Sequence, residues 1–172
     1  MGTDGGGISV YDKDKDRFIN HRNEVGRTGS LSTNVVRSLF EDKNGDIWIG
    51  NYPAGINFFD RSSSAIASYA NDLSNPNSLS NTSILAAAED SNGNLWLGTD
   101  GGGLNFFDRQ QNQFSHFKTN PNDSTTISDN AVLSTHIDSS GLVWVGLGVV
   151  ECQVMTPTQK NLHATRLISN EM

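Results

Sequence analysis

Short apolar–polar alternations of five or six residues recur along this chain, each bounded by Gly, Asn, Asp or Ser. Val35 to Asp42 is followed by Asn44-Gly45 and then by Ile47-Trp48-Ile49-Gly50. The same order returns 48 residues later, with Ser83 to Asp90, Asn92-Gly93 and Leu95-Trp96-Leu97-Gly98. It returns after 48 more, with Ala131 to Asp138, Ser140-Gly141 and Val143-Trp144-Val145-Gly146. Alternation with a period of two between turn residues predicts half-buried strands. Asn-Gly tolerates positive φ at both central positions of a tight turn, so it predicts hairpins between them. No segment sustains a helical period.

Two further strands complete the unit. A glycine-bearing turn, Pro53-Ala54-Gly55 or Gly101-Gly102-Gly103, leads into Gly55 to Asp60 or Gly103 to Asp108. A polar turn then precedes Ala65 to Tyr69 or Gln113 to Phe117. Four short antiparallel strands per repeat of this length are what one propeller blade needs. A single blade cannot bury both faces, so its apolar side chains predict stacking of neighbouring sheets. Trp48, Trp96 and Trp144, the only tryptophans, and Gly50, Gly98 and Gly146 mark equivalent structural positions.

The expected fold is therefore all-β, an incomplete β-propeller of about three blades. Its divisions are a half blade over 1–29, blades over 30–77 and 78–125, and a half blade over 126–148. Gly2 to Asp12 repeats Gly98 to Asp108 at twice the period, which places Met1 in the slot of Ile49, Leu97 and Val145. The glycine triplet joins two strands and no helix follows it. This argues against a phosphate cradle, which needs a helix N-terminus there.

These units resemble the two-component regulator propeller repeat. Ser78 to Phe117 meets the pattern almost fully, Ser30 to Tyr69 meets it with a departure at Asn51-Tyr52-Pro53-Ala54, and Thr126 to Gly146 meets it in part. The resemblance covers residues 2 to 148. It implies a sensory β-propeller of a hybrid histidine kinase or diguanylate cyclase, periplasmic in the parent receptor. Glycan fragments are among the ligands such members sense.

After Gly148 the pattern stops. A shifted reading frame from the third base of the Gly148 codon permits the next piece of the repeat, including its Tyr-Asp. The expectation is a frameshifted, irregular tail over 149–172, with a short helix near Leu162 to Ile168 as the one regular element considered. The chain then reads as a fragment of a longer sensor gene.

Composition narrows the partners. The formal net charge is −7, which disfavours nucleic acid and anionic membrane surfaces. The single cysteine, Cys152, excludes an internal disulfide framework. No apolar run approaches a membrane span. The N-terminus lacks a basic region and an apolar core, so the expectation is no signal peptide and a cytoplasmic location if the chain is made alone.

Candidate chemistry is sparse. Asp12-Lys13-Asp14-Lys15-Asp16 opens like a calcium loop, but Arg17 and Asn23 stand where glycine and glutamate are needed. His21, His116, His136 and His163 fall at unrelated phases without metal-ligand spacing. The expectation is no metal, no cofactor and no catalytic set. Glu41-Asp42 and Glu89-Asp90 recur with the blades, which marks a structural role at the hairpin. The segments Ser32-Thr33-Asn34, Ser80-Asn81-Thr82 and Ser128-Asp129-Asn130 precede each first strand, where loops on a rigid scaffold carry recognition. Candidate ligand contacts are Asn34, Asn81, Asn130, Arg37, which breaks a leucine pattern, and His136, expected half-buried in the slot of Phe40 and Ala88.

The leading function is a non-catalytic ligand-sensing scaffold that takes a small molecule or glycan and docks to the rest of the parent sensor. The alternatives are a truncated remnant without function, or a propeller enzyme such as a lyase or glycosidase. A second copy offers a further route to closure, by pairing one chain's first half blade with its partner's last.

Overall fold

The computed structural model describes residues 1–148, 151–158 and 161–166. They form an all-β chain that divides into two compact units, 1–84 and 85–172.

The first unit contains a two-stranded sheet of β1 (Ile8–Asp12) and β2 (Arg17–His21). It also contains a four-stranded sheet of β3 (Val36–Glu41), β4 (Ile47–Asn51), β5 (Ile56–Asp60) and β6 (Ala65–Tyr69) in sequence order. The core between these sheets is Ile8, Leu31, Val36 and Ile49, with Ile47, Phe59 and Ile66 packed against it. In the second unit β7 (Ile84–Glu89), β8 (Leu95–Thr99), β9 (Leu104–Asp108) and β10 (Gln113–Phe117) form one sheet. The other holds β11 (Val132–Ile137), β12 (Val143–Leu147), β13 (Glu151–Thr158) and β14 (Asn161–Arg166). The core there contains Trp96, Leu104, Ile127, Val132, Val143, Val145, Leu147 and Met155. All strand pairs with a recorded register are antiparallel.

Equivalent positions pair alike. Trp48 faces Phe58, Trp96 faces Phe106 and Trp144 faces Val154. Close approach explains the glycine that follows each tryptophan by two. A Cβ on Gly98 would lie 2.7 Å from the Val132 carbonyl oxygen, and one on Gly146 would lie 2.4 Å from Ser134 Oγ. Gly103 has φ +79°, and a Cβ there would meet the Phe117 carbonyl oxygen at 2.2 Å. The N–H groups of Gly101 and Gly103 both donate to the Asn130 carbonyl, at 3.1 and 2.8 Å. The triplet is thus a packing turn whose donors are already taken.

The tail departs from expectation. Residues 151–158 and 161–166 are strands rather than an irregular segment, and no helix begins near Leu162; residues 167–172 lie outside the described residues. β13 covers the edge of β12, pairing Val143 with Met155 and Gly146 with Cys152. An uncovered edge would leave a row of unpaired N–H and C=O groups, and any alternating segment can satisfy them. Gln153 and Met155 supply the alternation, both buried, while Cys152 before them is exposed and Val154 between them is half-buried. The head-to-tail closure by a second copy needs that same edge of β12, which is occupied.

Candidate functional site

The acidic hairpin ends are structural fasteners. Asp42 Oδ1 accepts the N–H groups of Asn44 and Asp46 at 2.9 and 3.1 Å, and its Oδ2 accepts Trp48 Nε1 at 3.0 Å. Asp138 repeats this, with Ser140 N, Ser140 Oγ and Leu142 N on one oxygen and Trp144 Nε1 on the other at 2.7 Å. Donation from Ser140 and Trp144 holds the Asp138 carboxyl well below the usual carboxylate range. In the middle repeat Asp90 takes Asn92 N, Asn94 N and Asn94 Nδ2. Each side chain fixes a two-residue turn to the base of its tryptophan strand.

The asparagine candidates are committed in a similar way. Asn34 Oδ1 accepts Asn23 N at 2.7 Å, and Asn130 Oδ1 accepts Thr119 N at 2.9 Å. Asn81 Oδ1 accepts Ser83 N at 2.8 Å, as Asp129 accepts Ala131 N and Thr33 accepts Val35 N. All three stabilise the entry to a first strand. Arg37 sits at a β-bulge between Val36 and Ser38, which re-aims a side chain outward. Its guanidinium lies 5.4 Å from the centre of the Tyr52 ring and 3.8 Å from Asp4 Oδ2. His136 is exposed, not half-buried as expected from its phase. Three of these residues belong to the first unit and two, Asn130 and His136, to the second. None of the five lines either of the cavities described next.

The larger cavity is a cleft of about 850 Å³ in the second unit, on the side where the turns after β7 and β11 emerge. Its apolar wall is Trp96 with Phe106 and Phe117, whose rings lie 4.8 and 5.7 Å from the indole centre. Around it stand Asn92, Asn94, Gln111, Gln113 and His116, with the carboxylates of Asp90, Asp108 and Asp138. Asp108 Oδ1 receives Gln110 N and Gln111 N, at 3.0 and 2.9 Å. A carboxylate offers about four acceptor sites, so Asp108 retains capacity that Asp138 has used. The combination is an aromatic floor with amide and carboxylate edges and little positive charge. It suits a neutral, hydroxyl-rich ligand: C–H faces favour the negative face of an aromatic ring, and hydroxyls donate to the acids. Sequence reasoning missed this cleft because its members are scattered over five segments and several are repeat positions. The signal present in the sequence was that Trp96, Phe106 and Phe117 share one sheet face.

The second cavity, about 430 Å³, lies in the first unit and is mostly apolar, lined among others by Leu31, Ile47, Ile49 and Phe59.

Stacked four-stranded sheets with an in-register tryptophan repeat define a segment of a β-propeller. Residues 30–52 and 78–101 match the two component regulator propeller family, so the chain carries repeats of that family. Among solved structures, the extracellular domain of a protein described as a hybrid two component system, BT3049 from B. thetaiotaomicron, is 17% identical with a TM-score of 0.79. The match covers 94% of this chain and 22% of that one. An auxiliary nutrient binding protein from Bacteroides thetaiotaomicron VPI-5482 is 13% identical with a TM-score of 0.59, over 92% of this chain and 36% of that one. Another, from Bacteroides ovatus ATCC 8483, is 10% identical with a TM-score of 0.53, over 95% and 41%. This chain thus spans less than half the length of these proteins. No curated protein matches the sequence.

Proposed function

We propose that this chain is part of the ligand-sensing propeller of a two-component-type receptor, a signal-input scaffold without catalysis. The observation that carries the reading is the pair of family repeats at 30–52 and 78–101, on a fold shared with a domain described as extracellular. In this reading the segment belongs outside the membrane in the parent receptor, and the rest of that receptor is its first partner. The blade limits are 30–77 and 78–125, flanked by partial or rebuilt sheets.

The ligand class we favour is a neutral glycan fragment or similar polyol, held in the cleft over Trp96, Phe106 and Phe117. Two of the related folds belong to proteins described as nutrient binding. The three carboxylates lining the cleft disfavour acidic sugars. Arg37 and His136, both exposed on first strands, are retained as proposed contacts of the assembled receptor, while Asn34, Asn81 and Asn130 are assigned to strand entry.

The test is calorimetric titration of the folded chain with neutral glucose and mannose oligomers beside a galacturonate series. Saturable binding of a neutral series, lost on Phe117→Ala, supports the reading. Binding that survives this change, binding of the acidic series alone, or release of shortened sugars during the titration contradicts it.

A further inference from the structure

Two departures from the repeat meet in the first unit. Leu85 and Leu133 hold one slot on the first strand of their sheets, and Arg37 stands in that slot on β3. Asp4 and Asp100 hold the slot two residues after a repeat glycine, and Tyr52 replaces them. The two substituted side chains touch. The Arg37 guanidinium lies 5.4 Å from the centre of the Tyr52 ring, within reach of a cation–π contact.

One backbone node holds the pair. Tyr52 N donates to the Val35 carbonyl at 3.1 Å, and Asp4 bridges Val35 from the other side. Arg37 projects from the adjoining bulge between Val36 and Ser38. Both side chains still reach solvent: Tyr52 is 41% exposed and the Arg37 side chain 44%. The charged neighbour is Asp4 Oδ2, at 3.8 Å and on a side chain 71% exposed. That distance is too long for a hydrogen bond, and an ion pair so exposed is weak. Among the described residues, no group accepts a hydrogen bond from this guanidinium. Its N–H donors lie in its plane, in a fork that matches a carboxylate. The ring beside it restricts the guanidinium, which lowers the ordering cost of binding. With the repeat's aspartate at 52, the guanidinium would stand between two carboxylates and be neutralised.

We propose that Arg37, supported by Tyr52, is a binding site for the carboxylate of a small organic acid. A single negative charge fits best, because Asp4 already offsets part of the cation and repels a dianion. A free organic acid and a uronic acid both carry this group, and the two arms of the experiment separate them. The site belongs to the first unit and has the opposite charge preference to the cleft around Trp96. Its amides are distinct from those of the cleft, so the failure of one reading is distinguishable from that of the other.

The experiment titrates the full, isotope-labelled chain with acetate and, separately, with galacturonate, balancing ionic strength with chloride. Nuclear magnetic resonance follows the Arg37 Nε–H and the Tyr52 amide. The expected result is a saturable shift at both groups that chloride does not produce. Equal affinity in the two arms assigns the site to any free carboxylate, and galacturonate tighter by about tenfold assigns it to an acidic sugar. Arg37→Leu and Tyr52→Asp each install the residue of the other repeats. The first should abolish the shift and the second weaken binding. Asp4→Asn should tighten binding by about twofold to fivefold. The absence of a saturable shift in both arms overturns the proposal, and so does an equal response to the neutral methyl ester of galacturonate. Undiminished binding by Arg37→Leu or Tyr52→Asp, or weaker binding by Asp4→Asn, also overturns it. Inorganic phosphate binding more tightly than acetate overturns the ligand class. The comparisons with chloride, the ester and phosphate stand even if a variant misfolds.

Discussion

Gln153 Oε1 accepts the backbone N–H of Ser128 at 3.2 Å. Two periods earlier Asn57 Oδ1 accepts that of Ser32 at 3.0 Å, so a residue after the pattern's apparent end performs the same task in phase. Both amides are buried. A longer side chain at a slightly longer distance replaces the asparagine, and the fourth sheet closes around it. Gln153→Ala would remove a buried side chain together with the acceptor of the part-buried Ser128 N–H. We predict a loss of about 1 kcal/mol in urea denaturation, together with early proteolysis after Gly148. An unchanged midpoint would mean that β13 does not dock as described.

The carboxylate–indole bond is the fastener most specific to this repeat. Asp42 serves two turn amides and Trp48 Nε1, and it is buried. Asp42→Ala strands those donors, so a destabilisation of about 2–3 kcal/mol is expected. Asp90→Ala should cost less, because Asp90 receives an asparagine amide in place of an indole. Equilibrium unfolding of the two variants side by side checks the order, and the reverse order would refute it.

Acid should weaken the fold through specific carboxylates. Serine donors hold Asp60 down to about 2 and lower Asp72, while Ser140 and Trp144 lower Asp138. A carboxyl whose folded value lies below its unfolded value contributes stability that is present above the unfolded value. That contribution is lost as pH falls through the folded one. The urea midpoint should therefore be flat above about pH 5 and decline from about pH 4 toward pH 2. Asp138→Asn should reduce that slope; a decline as steep as in the parent chain would show that Asp138 does not contribute.

Sheet spacing sets a steric limit at Gly98. Its added Cβ would sit 2.7 Å from the Val132 carbonyl oxygen and 2.9 Å from Val132 Cγ1. A backbone atom cannot swing aside as a flexible side chain can, so Gly98→Ala should cost about 1–3 kcal/mol. Thermal unfolding of the variant reads this directly, and a midpoint equal to that of the parent would exclude close approach at this position.

The strands up to Leu147 were legible because they recur. Tryptophan, turn and glycine positions repeat every 48 residues, and a recurring apolar pattern has one economical fold. Residues 151–166 were not legible because strand formation there follows from pairing to an open edge rather than from a repeated motif. Gln153 was the available clue, since it stands 48 residues after the buried Asn105. The recognition candidates were harder still. Asn34, Asn81 and Asn130 are polar and near strand entries, but so is any residue that caps a turn; only the hydrogen bonds separate the roles. The repeat phase of His136 predicts half-burial, yet it stands exposed on the first strand of its sheet. The cleft around Trp96 depends on the spacing of two sheets, which no linear pattern states.

Hydrogen exchange measured peptide by peptide tests the central claim most directly, namely that one sheet unit is repeated around Trp48, Trp96 and Trp144. The account predicts three maxima of protection, over β4, β8 and β12, spaced by 48 residues, with measurable protection continuing into 151–158. A single protected block without that spacing, or rapid exchange across any of the three tryptophan strands, would contradict it.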